Sequence, residues 1–317
     1  MGEQWESNGR SMGEQWVVPK GTITIVHQSF TNRSAIVQLL LLYKEDYMNY
    51  DELSVIAKNM RRNILTMIHA ANSGHPGGSL SAVEILTYLY FKEMNIKGID
   101  DEDRDRFVLS KGHGAPVLYA ALMEKGFISK DLMNTLRQVD SKLQGHPDMK
   151  KLKGVEASTG SLGQGLSIAN GMALAFKLDK RQNRVFALLG DGEIQEGMIW
   201  EAAMLASHYK LDNLTAVMDH NGLQIDGKNE DVMSVEPIDK KFEGFGWHVI
   251  HADGHDFSSL EKAFEERKTI KEKPVLIIAK TTKGRGCSFM EDKAGWHGKA
   301  PNDDEYCMAM EELGGDN

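Results

Sequence analysis

The sequence has few cysteines and no long apolar run. Its two cysteines, Cys287 and Cys307, are too few for a disulfide framework and lack the spacing of a zinc site, which favours a reducing setting. The longest apolar run, residues 36–43, is broken by Gln38 and is shorter than the about 18 apolar residues of a membrane span. The N-terminus lacks the basic-then-apolar order of a secretory signal peptide. We therefore expect a cytoplasmic protein.

The sequence also lacks an excess of basic residues. Its formal net charge is −9, from 37 Lys and Arg against 46 Asp and Glu. Nucleic-acid-binding proteins usually carry a basic patch or stripe, so this charge argues against that class. An anionic ligand would have to be held by a local device, such as a metal ion, a helix N-terminus or a few histidines.

The first 47 residues differ from the rest of the chain. The pentapeptide MGEQW occurs at residues 1–5 and again at residues 12–16, with no fold period behind the duplication. Residues 23–26 have the composition of a strand but no evident partner. We expect residues 1–47 to be a poorly ordered extension or a mis-assigned start, with the natural protein beginning at Met48. The alternative is a genuine capping segment.

From Asp51 onward, helical periodicity alternates with short apolar segments. Asp51 is expected to be an N-cap, and the helix that follows it should stop near Asn72. Helices are predicted at residues 51–72, 81–94, 115–125, 166–178, 198–208 and 257–270, and strands at 107–109, 185–189, 214–218, 248–252 and 275–279. Continuous apolar strands separated by helices indicate the α/β class. We therefore predict one doubly wound, mostly parallel sheet with helices on both faces, formed by residues 48–317.

The motif Gly190-Asp191-Gly192 follows one of the predicted strands and precedes a helix. Ligands of open α/β sheets bind at the carboxyl ends of strands, where glycines let the backbone approach a phosphate. A carboxylate at that point would repel a phosphate unless a divalent cation bridged them. Asn221 follows thirty residues later, at the end of the next predicted strand, and offers the oxygen ligand that Mg²⁺ favours.

This pair of motifs resembles the thiamine-diphosphate fingerprint, in which Gly-Asp-Gly is followed about thirty residues later by Asn. The resemblance implies that Asp191, Asn221 and the backbone carbonyl of Leu223 hold Mg²⁺. It also implies that the Gly192 N–H contacts the diphosphate. A Gly-Asp-Gly tripeptide alone is a weak signal because tight turns use it often, but its strand context and the spaced Asn strengthen it.

A further set of histidines lies in glycine-rich segments. A single histidine is more often a surface or core residue than a functional one, but loops bordered by glycine can gather several polar groups at one rim of a sheet. Together with the other motifs they stand in the order GHPGG (residues 74–78), SKGH (110–113), GHP (145–147), TGSLGQG (159–165), GDGEIQEG (190–197), DHN (219–221), KTTKGRG (280–286) and HG (297–298).

This order of motifs is similar to that of the N-terminal, diphosphate-binding domain of transketolases, from Met48 to about Pro301. The resemblance implies that four histidines line the channel above the thiazolium carbon, orient the hydroxyls of the ketose donor and help to move protons. Ketol transfer needs such groups near neutral pH. The catalytic residues so implied are His75, His113, His146 and His297.

The same resemblance implies the residues that border the cofactor, with Ile225 packed near the thiazolium. Glu196 and Glu201 match acidic residues that the family places at the subunit interface. Without the resemblance, both are equally well explained as solvated residues in the first turns of a helix. The cofactor-binding residues implied are His113, Gly160, Leu162, Gly163, Gly190, Asp191, Gly192, Glu196, Asn221, Ile225 and His297.

Some residues depart from the family pattern. Ser161 stands where two-domain transketolases commonly have proline. Lys283 and Arg285 replace apolar and aromatic residues in the KTT loop, and this lysine-bearing version is also similar to deoxyxylulose-phosphate synthases. That loop therefore does not discriminate between the two families, whereas the GHP, LGQG and SKGH segments favour transketolase.

The sequence ends at Asn317 without the second domain that binds the aminopyrimidine in transketolases and supplies the activating glutamate. The expected partner is therefore a separate C-terminal transketolase subunit, in an α₂β₂ heterotetramer. The expected reaction is transfer of a two-carbon ketol unit from a ketose phosphate to an aldose phosphate, as in the pentose phosphate pathway. The alternatives are one chain of another split thiamine-diphosphate enzyme, of the deoxyxylulose-phosphate synthase or 2-oxoacid dehydrogenase type, and a non-catalytic paralogue that only binds a partner.

Overall fold

A computed structural model of the protein describes residues 48–314. The expectations for residues 1–47, including the strand at residues 23–26, lie outside the described residues. The chain from Met48 to Asn317 forms one compact unit.

A five-stranded parallel sheet is the centre of this unit, with strand order β1-β2-β3-β7-β6. All five predicted strands are confirmed, and the observed strands begin or end within two residues of the predicted bounds. A two-stranded antiparallel hairpin, which was not predicted, follows β3. The strands are β1 (Arg106–Leu109), β2 (Val185–Gly190), β3 (Leu214–His220), β4 (Leu223–Gln224), β5 (Gly227–Lys228), β6 (His248–Asp253) and β7 (Val275–Lys280).

Successive side chains of each central strand point to opposite faces of the sheet, and each face has its own apolar cluster. Phe186 and Leu188 belong to one cluster, whereas Ala187 and Leu189 belong to the other. Because both faces are buried under helices, the strands are apolar throughout rather than alternating. The predicted doubly wound α/β architecture is therefore confirmed.

Helices surround the sheet. Most of the predicted helices appear within about two residues of their expected bounds. The helices are α1 (Tyr50–Ala71), α2 (Pro76–Leu80), α3 (Val83–Tyr88), α4 (Ala115–Glu124), α5 (Gln164–Leu178), α6 (Gly197–His208), α7 (Asn229–Val232), α8 (Ile238–Gly244), α9 (Phe257–Thr269) and α10 (Asp303–Glu312). Of these, α2, α7, α8 and α10 were not predicted.

Two helix predictions need correction. The N-cap of α1 is Asn49 rather than Asp51: its side chain accepts the Glu52 N–H at 2.9 Å, while the Glu52 carboxylate accepts the Asn49 N–H at 3.0 Å. This reciprocal capping box satisfies two N–H groups that a helix start leaves free. The single helix expected at residues 81–94 is instead α3 followed by a π-helical turn at Leu89–Glu93, and α2 precedes it.

The carboxyl ends of the parallel strands lie at one edge of the sheet. The glycine-rich segments after β1, β2, β3 and β7 therefore meet there, and this edge holds the candidate site. Within residues 48–314, no helix is long and apolar enough to cross a membrane.

Candidate functional site

A cavity of about 320 Å³ opens at this edge between the segments that follow β1, β2, β3 and β7. It is lined by glycine-rich backbone on one side and by charged and imidazole side chains on the other. Its lining residues are Gly78, Lys111, His113, Leu162, Gly190, Asp191, Gly192, Glu193, Gln195, Glu196, Asn221, Leu223, Gln224, Ile225, Lys283 and His297.

Asp191 joins the segment after β2 to the segment after β3. Its Oδ1 accepts the Gly192 N–H at 2.8 Å, and its Oδ2 accepts the Gly222 N–H at 2.5 Å. Burial raises the pKa of this carboxyl above its ordinary value, and the nearby charge of Asp219 raises it further. A buried carboxylate whose negative charge is unfavourable is well suited to a cation, because a cation would remove that cost.

The three predicted metal ligands, Asp191, Asn221 and Leu223, all line the cavity. Among residues 48–314, no group of three His, Cys, Asp or Glu side chains could hold a metal ion. A divalent cation here would therefore have one carboxylate, an amide oxygen, a backbone carbonyl and oxygens of its ligand. Magnesium is usually bound by such a set, so these residues fit Mg²⁺.

Lys283 competes for one of those ligands. Its Nζ donates to the Leu223 carbonyl at 2.7 Å and lies 3.1 Å from Nδ1 of His297. The side chain is almost fully buried, and burial lowers the pKa of Lys283 to about 8, although Asp191 opposes this shift. A carbonyl oxygen has two lone pairs, so Leu223 can accept from Lys283 and still offer an oxygen to a cation.

A buried ion pair lies directly beneath the cavity. Lys111 pairs with Asp219, and its Nζ also donates to the Gly78 carbonyl at 2.6 Å. Burial alone would raise the pKa of Asp219, but the Lys111 ammonium and hydroxyl donors outweigh it and hold this pKa below its ordinary value. The pair fixes the floor of the cavity and places a positive charge at its wall.

Glu193 connects three of the glycine-rich segments and was not among the predicted site residues. Its carboxylate accepts from the Ser110 hydroxyl at 2.5 Å and from the N–H groups of Gly163 and Gly190, both at 3.0 Å. Burial raises the pKa of Glu193 despite these donors. The sequence signal was the acidic residue directly after Gly-Asp-Gly, which sequence reasoning read only as part of the motif.

Three of the four predicted catalytic histidines pack against one another. The ring centroid of His75 lies 5.3 Å from that of His113 and 5.5 Å from that of His297, and the His113 and His297 centroids are 5.2 Å apart. The fourth, His146, lies beside Gly160. His113 and His297 line the cavity directly, whereas His75 reaches it through them.

These histidines are neutral at pH 7. Burial lowers the pKa of His75 to about 4 and that of His297 to about 3, with further contributions from neighbouring cations. Burial also holds the pKa of His113 well below its ordinary value and lowers that of His146. The sequence-based expectation of histidines that titrate near neutral pH is therefore replaced by neutral rings, each with one N–H donor and one acceptor nitrogen.

Gly160 and Gly163 border the site because no side chain fits at their positions. A Cβ on Gly160, whose φ is +142°, would lie 2.8 Å from the His146 ring. A Cβ on Gly163, whose φ is +87°, would lie 2.8 Å from the Cβ of Glu196. Both glycines are thus required for the close approach of these segments.

The remaining predicted residues are placed unequally. Gly192 is at the cavity, but its N–H, predicted to contact the diphosphate, donates to Asp191, and a 3₁₀ turn at Gly192–Gln195 separates it from α6. Ile225 lines the cavity with 64% of its surface exposed. Glu201 is exposed on α6 and is not part of the cavity.

A larger cavity, of about 880 Å³, lies nearby at the ends of β6 and β7. Its lining includes His220, His251 and Arg285 but none of the predicted cofactor or metal residues. Size alone therefore does not identify the functional site, and the chemistry of the smaller cavity does.

The fold and cavity define an α/β domain with a phosphate-type site at the carboxyl ends of its strands. Residues 53–317 match the family model described as "Transketolase, thiamine diphosphate binding domain". The chain belongs to the transketolase family.

Several curated relatives are similar over most of this chain. One of the two named chains of an apulose-4-phosphate transketolase, from Actinobacillus succinogenes, is 44% identical over 269 residues, covering 84% of this chain and 97% of the relative. The 6-deoxy-6-sulfo-D-fructose transketolase subunit SqwG of a Clostridium species is 43% identical, covering 81% of this chain and 94% of the relative.

Longer transketolases match over part of their length. Human transketolase is 45% identical over 263 residues, which is 81% of this chain but 41% of the human protein. A crystal structure of transketolase from Campylobacter jejuni superimposes with a TM-score of 0.80 at 35% identity, covering 85% of this chain and 44% of the other. The chain therefore spans less than half the length of these two proteins.

Proposed function

We propose that this chain is the N-terminal subunit of a two-chain transketolase, in which it holds the diphosphate and Mg²⁺ of thiamine diphosphate. The complex would transfer a two-carbon ketol unit from a ketose phosphate to an aldose phosphate. The observation that carries this proposal is the composition of the cavity. Asp191, Asn221 and Leu223 lie in the same space as His113 and His297, so a metal-binding part and a histidine part adjoin.

At the metal-binding part, Asp191, Asn221 and the Leu223 carbonyl would hold Mg²⁺, while the ammonium groups of Lys111 and Lys283 add positive charge for an anionic group. These charges are local, which explains how a chain of net charge −9 can hold a diphosphate. Thiamine diphosphate, when bound, supplies the carbon nucleophile and the electron sink of ketol transfer.

At the histidine part, His75, His113, His146 and His297 would orient the hydroxyls of the sugar and exchange protons with them. Because their pKa values are lowered, each ring both donates one hydrogen bond and accepts another at neutral pH. A sugar hydroxyl also both donates and accepts, so neutral imidazoles match it better than imidazolium rings, which only donate.

A separate C-terminal transketolase subunit is part of the proposal, in an α₂β₂ assembly in the cytoplasm. Two kinds of observation support a partner. The relatives that match this chain nearly end to end are named as subunits of transketolases. In this chain, Ile225 at the cavity is mostly exposed, and Met198, Met204 and Leu205 of α6 leave apolar surface beside Glu196. Exposed apolar surface next to a site is typical of a protein interface.

Calorimetric titration with thiamine diphosphate in Mg²⁺ tests the proposal, first on the chain alone and then after mixing with a C-terminal transketolase subunit. We expect weak binding alone, tight binding on mixing, and loss of binding in Asp191→Ala. Asp179→Asn, an exposed carboxylate at the end of α5, is the matched control and should bind as the parent does. Tight binding by the chain alone that no partner improves would contradict a site shared between two chains.

A further inference from the structure

A buried carboxylate outside the cavity, that of Glu84 on α3, receives hydrogen bonds from two distant parts of the chain. Nη2 of Arg61, on α1, donates to its two oxygens at 2.6 and 2.8 Å. Nδ1 of His255, in the loop after β6, lies 2.9 Å from Oε2. Glu84 and Arg61 are each at most 7% exposed, so this cluster is shielded from water.

The hydrogen bonds of His255 fix its tautomer. The backbone N–H of Thr282 donates to Nε2 at 2.8 Å, so Nε2 carries no proton. The proton of a neutral ring is then on Nδ1, which donates to Glu84. His255 therefore connects the carboxylate of Glu84 to the backbone of the segment after β7.

The same carboxylate reaches the other end of that segment through Arg61. Nε of Arg61 donates to the backbone carbonyl of Arg285 at 2.9 Å. Glu84 thus anchors the segment at residue 282 through His255 and at residue 285 through Arg61. Between these two anchors lies Lys283, whose Nζ reaches the cavity at the Leu223 carbonyl and at His297.

We propose that Glu84, with Arg61 and His255 as its two arms, is a positioning residue that holds residues 282–285 so that Lys283 enters the cofactor cavity. This inference rests on the proposed function for its catalytic meaning. The geometry that carries it is the attachment of one buried carboxylate to both flanks of a single cavity-lining residue.

General energetics support a positioning role over a purely stabilising one. Removing charged groups from water is costly, and well-packed apolar residues often stabilise a core as well as a buried ion pair does. An apolar replacement could not hold the Thr282 N–H or the Arg285 carbonyl, however, because only polar partners define such a backbone position. The outer partners of ligand-binding groups act in this way.

Two substitutions of His255 separate positioning from packing. His255→Gln keeps an acceptor for the Thr282 N–H, whereas His255→Leu keeps bulk and removes the acceptor. His248→Leu is the matched control, since it removes another histidine paired with a glutamate, Glu266, at the surface. Each variant is made in the full chain, and its thermal unfolding is measured to confirm that it folds.

The first readout is hydrogen–deuterium exchange of peptides that cover residues 281–286, in the chain without cofactor. The second is the Kd of thiamine diphosphate in Mg²⁺ for the chain mixed with a C-terminal transketolase subunit. We expect His255→Leu to speed exchange in this segment and to weaken cofactor binding by about 10- to 100-fold. His255→Gln should recover most of both effects, and His248→Leu should change neither.

Unchanged exchange and unchanged cofactor affinity in His255→Leu would overturn the inference. So would a loss in which His255→Gln is as impaired as His255→Leu, because that result would indicate packing alone. If the parent chain binds no thiamine diphosphate with any partner, the proposed function fails instead, and the exchange of residues 281–286 still decides whether the cluster positions this segment.

Discussion

The carboxylate of Asp191 accepts the backbone N–H of Gly222 at 2.5 Å, across the cavity edge from one strand end to the next. This contact brings the Gly-Asp-Gly turn after β2 against the Asn221 turn after β3. Two motifs separated by thirty residues in the sequence thereby form one site, as the resemblance to the thiamine-diphosphate fingerprint implies.

Substitution of this carboxylate should separate cofactor binding from folding. Asp191→Asn keeps the size of the side chain but removes the negative charge, whose burial already costs free energy. We expect Mg²⁺-dependent binding of thiamine diphosphate to fall by more than the about 10- to 100-fold that loss of an outer-shell partner causes. Calorimetry measures the affinity, and urea unfolding should show a folded chain. An affinity equal to that of the parent would exclude Asp191 as a metal ligand.

Glu193 should matter for stability rather than for direct ligand contact. Glu193→Ala leaves the buried N–H groups of Gly163 and Gly190 without their acceptor. Each unsatisfied buried group costs about 1–3 kcal/mol, so the free energy of unfolding should fall by at least about 2 kcal/mol. Glu201→Ala, at an exposed position on α6, should change it by less than about 0.5 kcal/mol. Equal effects of the two substitutions in urea unfolding would refute this role.

The histidine cluster should make the chain sensitive to acid. The folded-state pKa values of His75 and His297 are about 4 and about 3, whereas an unfolded histidine titrates near about 6.5. Between these limits the unfolded state binds more protons, so stability is greatest above about pH 6.5 and falls as the pH is lowered towards 4.

Urea unfolding at several pH values between about 7.5 and about 4.5 checks this linkage. His75→Gln should flatten the dependence by removing one of these groups, whereas His208→Gln, at an exposed position, should leave it nearly parallel to the parent. A dependence in His75→Gln as steep as that of the parent would show that His75 is not held neutral by the fold.

The capping box of α1 gives a direct test of a corrected prediction. Asn49→Ala removes the side chain that accepts the Glu52 N–H and should cost about 1 kcal/mol. Asp51→Ala changes the residue that sequence reasoning chose as the cap, and it should cost less because Asp51 lies within the first turn. Thermal unfolding compares the two. A larger loss in Asp51→Ala would restore the original assignment.

The sequence predicted the sheet well because its five strands are apolar on both faces and bounded by turn residues. The same reasoning missed α8 and the β4–β5 hairpin, whose residues are few and largely exposed. It also merged α3 with the π-helical turn, because apolar spacing does not distinguish the two hydrogen-bond patterns.

For the site, the motifs predicted which segments meet but not what holds them. Lys111, Asp219 and Glu193 are buried polar residues whose partners lie 33 to 138 positions away in the chain for most of their contacts. No local pattern reports such pairing, since it depends on how the strands order themselves in the sheet. The lowered pKa values of the histidines likewise follow from burial, which becomes evident only in the folded chain.

The most direct test of the central claim is reconstitution of ketol transfer. This chain and a C-terminal transketolase subunit are assayed separately and as a mixture, each time saturated with thiamine diphosphate and Mg²⁺. The conversion of a ketose phosphate and an aldose phosphate is followed. The account predicts turnover by the mixture alone. Turnover of the ketose phosphate by this chain without a partner would contradict it.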